Sequence, residues 1–217
     1  MKKITAMAAV LAMAAVAQAA TVTYSDTLTS PITDPISVTV QQFNNISGAF
    51  AGTTLNSVTL SLVTATSAAD VTIHNTGDTA RNITVTFSGG ITFGTPTDST
   101  TANVSYNHQF SQVAAHSTLG PQTLTTGSAT SEDVISTGLA GFIGTGNVGD
   151  MTVSLAGSWG GYGWVAGGVD SENNAISAHW AVTYDYSPAS VPEPASMALL
   201  GIGGLVVALR RRFSKKA

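Results

Sequence analysis

The stretch Ile176-Ser177-Ala178-His179-Trp180-Ala181-Val182-Thr183-Tyr184-Asp185-Tyr186 decides the fold class of this chain. Ala178, Trp180, Val182, Tyr184 and Tyr186 recur at every second position, with His179, Thr183 and Asp185 between them. Successive side chains of a strand point to opposite faces, so a period of two buries one face and wets the other. Trp180 and Tyr184 therefore belong to a core, and His179 belongs to the opposite, solvent face.

The same alternation recurs upstream. Met151, Val153 and Leu155 repeat it, as do Ile83, Val85 and Phe87, Val58, Leu60 and Leu62, and Ile36, Val38 and Val40, while Val71 and Ile73 flank Thr72. The intervening Thr and Val residues favour pleated geometry through their β-branching. Turn residues cluster at Asn44-Asn45, Asn75-Thr76-Gly77-Asp78, Gly89-Gly90 and Pro96-Thr97-Asp98. No capped run with a period of 3.6 interrupts the middle region, and Leu139 to Ile143 holds one short helical turn at most. Short strands joined by turns predict an all-β domain, an antiparallel β-sandwich.

The chain has no cysteine, so neither a disulfide nor thiol chemistry supports it. The fold rests on its core alone, and a domain of roughly 150–170 residues buries about 70% of its unfolded surface. Between Ala20 and Ser190 the only basic side chain is Arg81, against eleven acids, which leaves that region at −10 although the whole chain carries −4. Phosphate contacts need Lys and Arg, so nucleic acid and anionic lipid are excluded as partners of the middle region.

The remaining basic residues mark the two ends. Lys2-Lys3, an apolar run from Ile4 to Val16 and the small-x-small site Ala17-Gln18-Ala19 form a secretory signal, which implies the Sec translocon and signal peptidase as partners. The cut is expected after Ala19, with Ala20 the alternative. At the other end Val191-Pro192-Glu193-Pro194 precedes an uncharged run, Ala195 to Leu209, and the basic cluster Arg210-Arg211-Arg212 to Lys216. As a helix that run spans about 22 Å, short of the roughly 30 Å hydrocarbon core. Gly201, Gly203 and Gly204 weaken it further. The basic cluster fits a cytoplasmic flank and leaves the large domain outside the inner membrane. Three parts follow: a signal peptide (1–19), a β-sandwich ectodomain (20–188) and a sorting tail (189–217). The tail helix is expected to be a transient membrane stop; the alternative is a permanent inner-membrane anchor.

The order Val191-Pro192-Glu193-Pro194, short apolar run, Arg210-Arg211-Arg212 closely resembles the PEP-CTERM sorting signal. That resemblance implies a Gram-negative bacterium making extracellular polysaccharide, and processing at the Pro-Glu-Pro site by an exosortase, a membrane-embedded transpeptidase-like enzyme. The two prolines suit such a site because they hold the backbone extended and free of helix. Within the middle region Phe43, Gly52-Thr53-Thr54-Leu55-Asn56-Ser57-Val58-Thr59-Leu60-Ser61-Leu62, Val71 and Asn75 resemble the opening of the choice-of-anchor E domain. Phe142-Ile143-Gly144-Thr145-Gly146 and Val182-Thr183-Tyr184-Asp185-Tyr186 resemble its close. Asn44 stands where that family has an acidic residue. The family implies a surface domain found with various anchors and brings no catalytic residues.

Four groups of residues bear on chemistry. Gly144-Thr145-Gly146-Asn147-Val148-Gly149 matches G-x-G-x-x-G, but a strand rather than a helix is expected after it, so it reads as a glycine-rich turn instead of a dinucleotide site. His74, His108, His116 and His179 lack zinc-site spacing. Asp170, Glu172 and Asn174, alternate residues of what reads as a Gly-flanked loop, are the candidate Ca²⁺ ligands, and an ordinary polar loop is the alternative. Trp159-Gly160-Gly161-Tyr162-Gly163-Trp164 offers Trp159, Tyr162 and Trp164 as an aromatic platform for sugar faces; the alternative is that these rings plug the open end of the sandwich. Glu132-Asp133 reads as an exposed turn. No G-x-S-x-G nucleophile is present, so no enzyme and no obligatory cofactor are expected. The chain reads as an exported, non-catalytic surface or extracellular-matrix protein, processed by an exosortase and associated with exopolysaccharide, with a carbohydrate-binding module as the alternative.

Overall fold

A computed structural model describes residues 19–31, 35–162 and 167–188. Among them the strands in chain order are β1 (Ala20–Pro31), β2 (Ile36–Ser37), β3 (Thr54–Asn75), β4 (Arg81–Gly94), β5 (Ser99–Val113), β6 (Ser117–Thr125), β7 (Ala129–Ile135), β8 (Thr152–Tyr162) and β9 (Gly167–Ser187). One sheet runs β1-β9-β3, with β7 and β6 following one another along the far edge of β3; the other runs β2-β8-β4-β5. Every strand pairing is antiparallel. This is the all-β, two-sheet domain that the alternation predicts. The signal segment before Ala19 and the tail run from Ala195 lie outside the described residues, and no helix among the described residues is long and apolar enough to cross a membrane.

The deciding stretch is the second half of β9, central in its sheet: Trp180 pairs with Asp26 of β1 on one side and Leu62 of β3 on the other. Ala178, Trp180, Val182 and Tyr184 are buried together with Ile83, Val85, Phe87, Ile91 and Phe93 of β4. Trp180 stacks on Phe93 with ring centroids 5.2 Å apart. The middle of each sheet thus supplies the core.

Bulges explain where the alternation misleads. Val58, Leu60 and Leu62 and then Ala65, Ala69, Val71 and Ile73 are buried on one strand of 22 residues, not on two. Register shifts between Leu62 and Ala65, so one extra residue is inserted and Val63 is left 43% exposed. Of the expected strand Ile36 to Val40 only Ile36-Ser37 pairs, with Thr152 and Val153. The rest follows β8 and its approach through single bonds, Val38 N–H to the Met151 carbonyl and Val148 N–H to that of Val40, 2.9 and 2.8 Å. Glu132 and Asp133 lie on β7, not in a turn. The turn at Asn75 is present: its side chain accepts the Gly77 N–H (3.1 Å) and donates to the Thr79 and Val113 carbonyls (3.0 and 2.8 Å), tying the end of β3 to the end of β5.

Gly89-Gly90 form no turn; they sit inside β4, where Gly89 pairs with Gly157 of β8. A Cβ on Gly157 would lie 2.6 Å from Gly89 Cα and 2.9 Å from the Phe87 ring. The two glycines let the strands close beneath that ring. Gly157→Val is therefore expected to destabilise the domain by about 3 kcal/mol, the upper end for overpacking, read as a lower urea midpoint at unchanged slope; a wild-type midpoint would show that the backbones of β4 and β8 part there without cost.

Candidate functional site

The first residue of β1 and the last turn-free residues of β9 come together. Ala20 pairs with Tyr186, and Ser187 pairs with Thr54. The chain thus enters and leaves the sandwich on neighbouring strands at one end. Ala19 and Ala20 of the cleavage site are described and Ala17 is not. A cut after Ala19 leaves β1 whole. Only Pro188, Ala189 and Ser190 separate β9 from Val191. Val191, Pro192, Glu193, Pro194, Arg210, Arg211 and Arg212 lie outside the described residues.

An aromatic cluster braces this end. Phe43 packs on Phe50 and Tyr186 at 5.2 Å and on Tyr184 at 5.8 Å. The Tyr184 hydroxyl donates to the Gln41 carbonyl at 2.7 Å. Burial, helped by the negative charge that an ionised Tyr24 would bring, pushes the Tyr184 phenol far above the usual tyrosine range, so it stays a neutral donor. These bonds fix the segment before Phe43 against the core although it belongs to no long strand.

The Gly144-to-Gly149 segment lies against that same segment. Gln42 N–H donates to the Gly146 carbonyl (2.9 Å) and Gly144 N–H to that of Phe43 (3.1 Å). The Gln42 side chain bridges the loop, giving a hydrogen bond to the Gly141 carbonyl at 3.0 Å and accepting one from Gly146 N–H at 3.2 Å. The 3₁₀ turn Leu139–Phe142 precedes it and strand β8 follows it. It is a turn, with no helix terminus to receive a pyrophosphate. Between this loop, Phe50 and Tyr24 of β1 lies a cavity of about 380 Å³, which sequence reasoning missed because its walls come from three distant segments.

The expected ligand residues that are described do not come together. Trp159 is 8% exposed and packs inside the sandwich on Phe87 and Tyr106, at 5.1 and 5.4 Å. Its indole N–H has no partner among the described residues. Tyr162 is 57% exposed at the end of β8, and Trp164 lies outside the described residues. Trp159 is thus a core ring, not part of a solvent-facing platform.

The Ca²⁺ candidate is corrected as well. Asp170 to Asn174 form part of strand β9, not a loop. Asp170 and Glu172 are exposed on the outer face, whereas Asn174 lines an inner cavity with Phe87 and Trp159. Asn173, at φ 50°, takes up the extra residue between them. Asp170, Glu172 and Asn174 therefore do not converge on one ion. Asp170 instead meets Nε2 of His74 at 3.0 Å, and Asn173 and Thr123 donate to Asp70 at 2.9 and 2.7 Å. Those two bonds, Asn173 first, hold the Asp70 carboxyl below the usual range. His116 meets Asp78 at 2.9 Å, and His108 packs edge-on against Phe110. No group of three or more His, Asp or Glu among the described residues is arranged to hold a metal.

Comparison with known proteins bears on the tail. The family profile of the PEP-CTERM protein-sorting motif matches residues 190–212. Neither the curated proteins nor the solved structures contain a match to the chain. The chain carries at 190–212 the PEP-CTERM motif, which implies an exported protein that an exosortase processes and that is sorted to the cell surface.

Proposed function

We propose that the chain is a non-catalytic surface or extracellular-matrix protein, held briefly at the inner membrane by its tail, cut by an exosortase within Val191 to Pro194, and then associated with exopolysaccharide. The observation that carries this is the matched motif at 190–212 directly behind a two-sheet domain whose strands end at Ser187. A cut beyond β9 removes the tail and leaves every described strand intact. The non-catalytic reading rests on composition, because Arg81 is the only cation between Ala20 and Ser190. The domain is further proposed to be of the choice-of-anchor E kind. In support, segments that carry that resemblance adjoin in space: Phe43 bridges to Ile143, and Leu55 pairs with Tyr186.

The test is intact-mass analysis of the protein from cells with and without the exosortase, together with fractionation. Mature protein is expected to begin at Ala20 and to lack Arg210 to Lys216; without the exosortase it keeps them and stays with inner membranes. Protein from normal cells that retains the basic cluster and stays in the inner membrane would replace this reading with permanent anchoring.

A further inference from the structure

We infer that the cavity beside the Gly144–Asn147 loop binds a neutral polyhydroxylated ligand, a sugar residue. Its volume of about 380 Å³ lies within the roughly 300–1,000 Å³ of small-molecule sites. Two aromatic rings, Tyr24 and Phe50, and the amides of Gln41, Gln42 and Asn147 line it together with Thr145.

These groups divide into a fixed frame and a free mouth. The Gln42 amide is committed at both ends, to Gly141 and Gly146, so the loop is held without a ligand. A Cβ on Gly144 would run into that amide, which keeps loop and frame in direct contact. Phe50 is set by Phe43 and Tyr186 at 5.2 Å, and Tyr24 by Tyr184 at 5.9 Å. Gln41 and Asn147 face each other as bridge partners, and both side chains are exposed. Neither amide, nor the Thr145 hydroxyl, has a hydrogen-bond partner among the described residues; only the Gln41 main-chain carbonyl is used.

The chemistry selects the ligand. A carboxamide both donates and accepts, as does a hydroxyl, so paired amides match adjacent hydroxyls better than they match an anion or a cation. The aromatic rings offer flat apolar surface to the C–H face of a sugar. Among the described residues no carboxylate lines the cavity to hold a metal, and no Lys or Arg to hold a phosphate or uronate. The net charge of −10 between Ala20 and Ser190 disfavours anions on the domain as a whole. A neutral sugar remains.

The proposal deepens the association with exopolysaccharide and rests on that reading only for where the sugar comes from. It is tested on purified full-length chain in a sugar-free detergent, by saturation-transfer NMR and calorimetry, so its failure leaves the processing result untouched. The probes are glucose, galactose, mannose, N-acetylglucosamine, short neutral oligosaccharides and glucuronate. At least one neutral sugar is expected to saturate with a Kd on the order of 1 mM, ordinary for a small open site. Glucuronate should bind at least roughly 10-fold more weakly, and Asn147→Asp, which keeps the shape but loses the donor, should weaken the neutral sugar by about 10-fold. Gln41→Ala with Asn147→Ala should abolish binding at an unchanged melting temperature, while Tyr162→Ala binds as the wild type does. An oligosaccharide binding more tightly than the free sugar would assign the site to a polymer; equal affinity would assign it to single residues. Failure of every neutral sugar to saturate, undiminished binding by the Gln41/Asn147 variants, or dependence on Tyr162 instead would overturn the assignment.

Discussion

Replacing Pro192, Glu193 and Pro194 together by Ala is expected to leave the basic tail on the protein and to hold nearly all of it in the inner membrane. Two effects act in the same direction. The substitution removes residues of the matched sorting motif within which the cut is proposed. It also removes the two prolines and the one charge that bound the apolar run, so an uncharged stretch extends from position 192 to Leu209. As a helix that stretch measures about 27 Å against the roughly 22 Å of Ala195 to Leu209, close to the hydrocarbon thickness of about 30 Å. Glu193→Gln separates the contributions, because it keeps both prolines and the short span. A block in the triple variant and in Glu193→Gln alike would place recognition on the carboxylate. Wild-type termini in the triple variant would refute processing at this motif.

The two-sheet domain makes that experiment readable. Ser187 is the last paired residue, opposite Thr54, so retention or loss of everything after Ser190 alters no described pairing. Differences in abundance between processed and unprocessed protein therefore report location rather than folding.

The sorting motif at 190–212 was legible in the sequence because a targeting signal is a linear segment, read by receptors along the chain. The fold class was legible for a different reason. β4, β8 and the second half of β9 alternate large apolar residues with Thr, Ser and Asp, which is what one wet and one dry face require. β5 escaped notice because its inward residues Thr100, Ala102 and Val104 include a hydroxyl and a methyl. Thr100 instead bonds Ser131 of β7 at 2.7 Å, across from one sheet to the other. Bulges hid the unity of β3 and made Asp170 to Asn174 resemble a loop, since one inserted residue reverses the alternation of buried and exposed faces. Gly89 was misplaced, and the two readings of Trp159 were left open, because tertiary contacts decide both. Only the approach of Gly89 to Gly157 explains glycines inside a strand, and only Phe87 and Tyr106 explain a tryptophan among them. The cavity could not be read at all, because Gln42 reaches across about a hundred residues of chain to hold the loop at Gly146.

Trp180→Ala is expected to be the most damaging single core change. Trp180 is 4% exposed, stands on the central strand of its sheet between Asp26 and Leu62, and stacks on Phe93 of the facing sheet at 5.2 Å and 26°. Truncation removes its buried surface and leaves a void between two sheets that are each held by their own ladders, so neither can collapse to fill it. Buried Trp→Ala changes cost about 3–5 kcal/mol, a large share of a total stability of roughly 5–15 kcal/mol, and no disulfide limits the loss. For a domain of this size that lowers the melting temperature by roughly 10–15 °C. Trp180→Phe keeps a ring against Phe93 and should recover about half of the deficit. The double change Trp180→Ala with Phe93→Ala should cost less than the sum of its parts by about 1 kcal/mol, the coupling of an aromatic pair. Strict additivity would show that the stack contributes only through buried area, and a wild-type melting temperature for Trp180→Ala would remove Trp180 from the centre of the core.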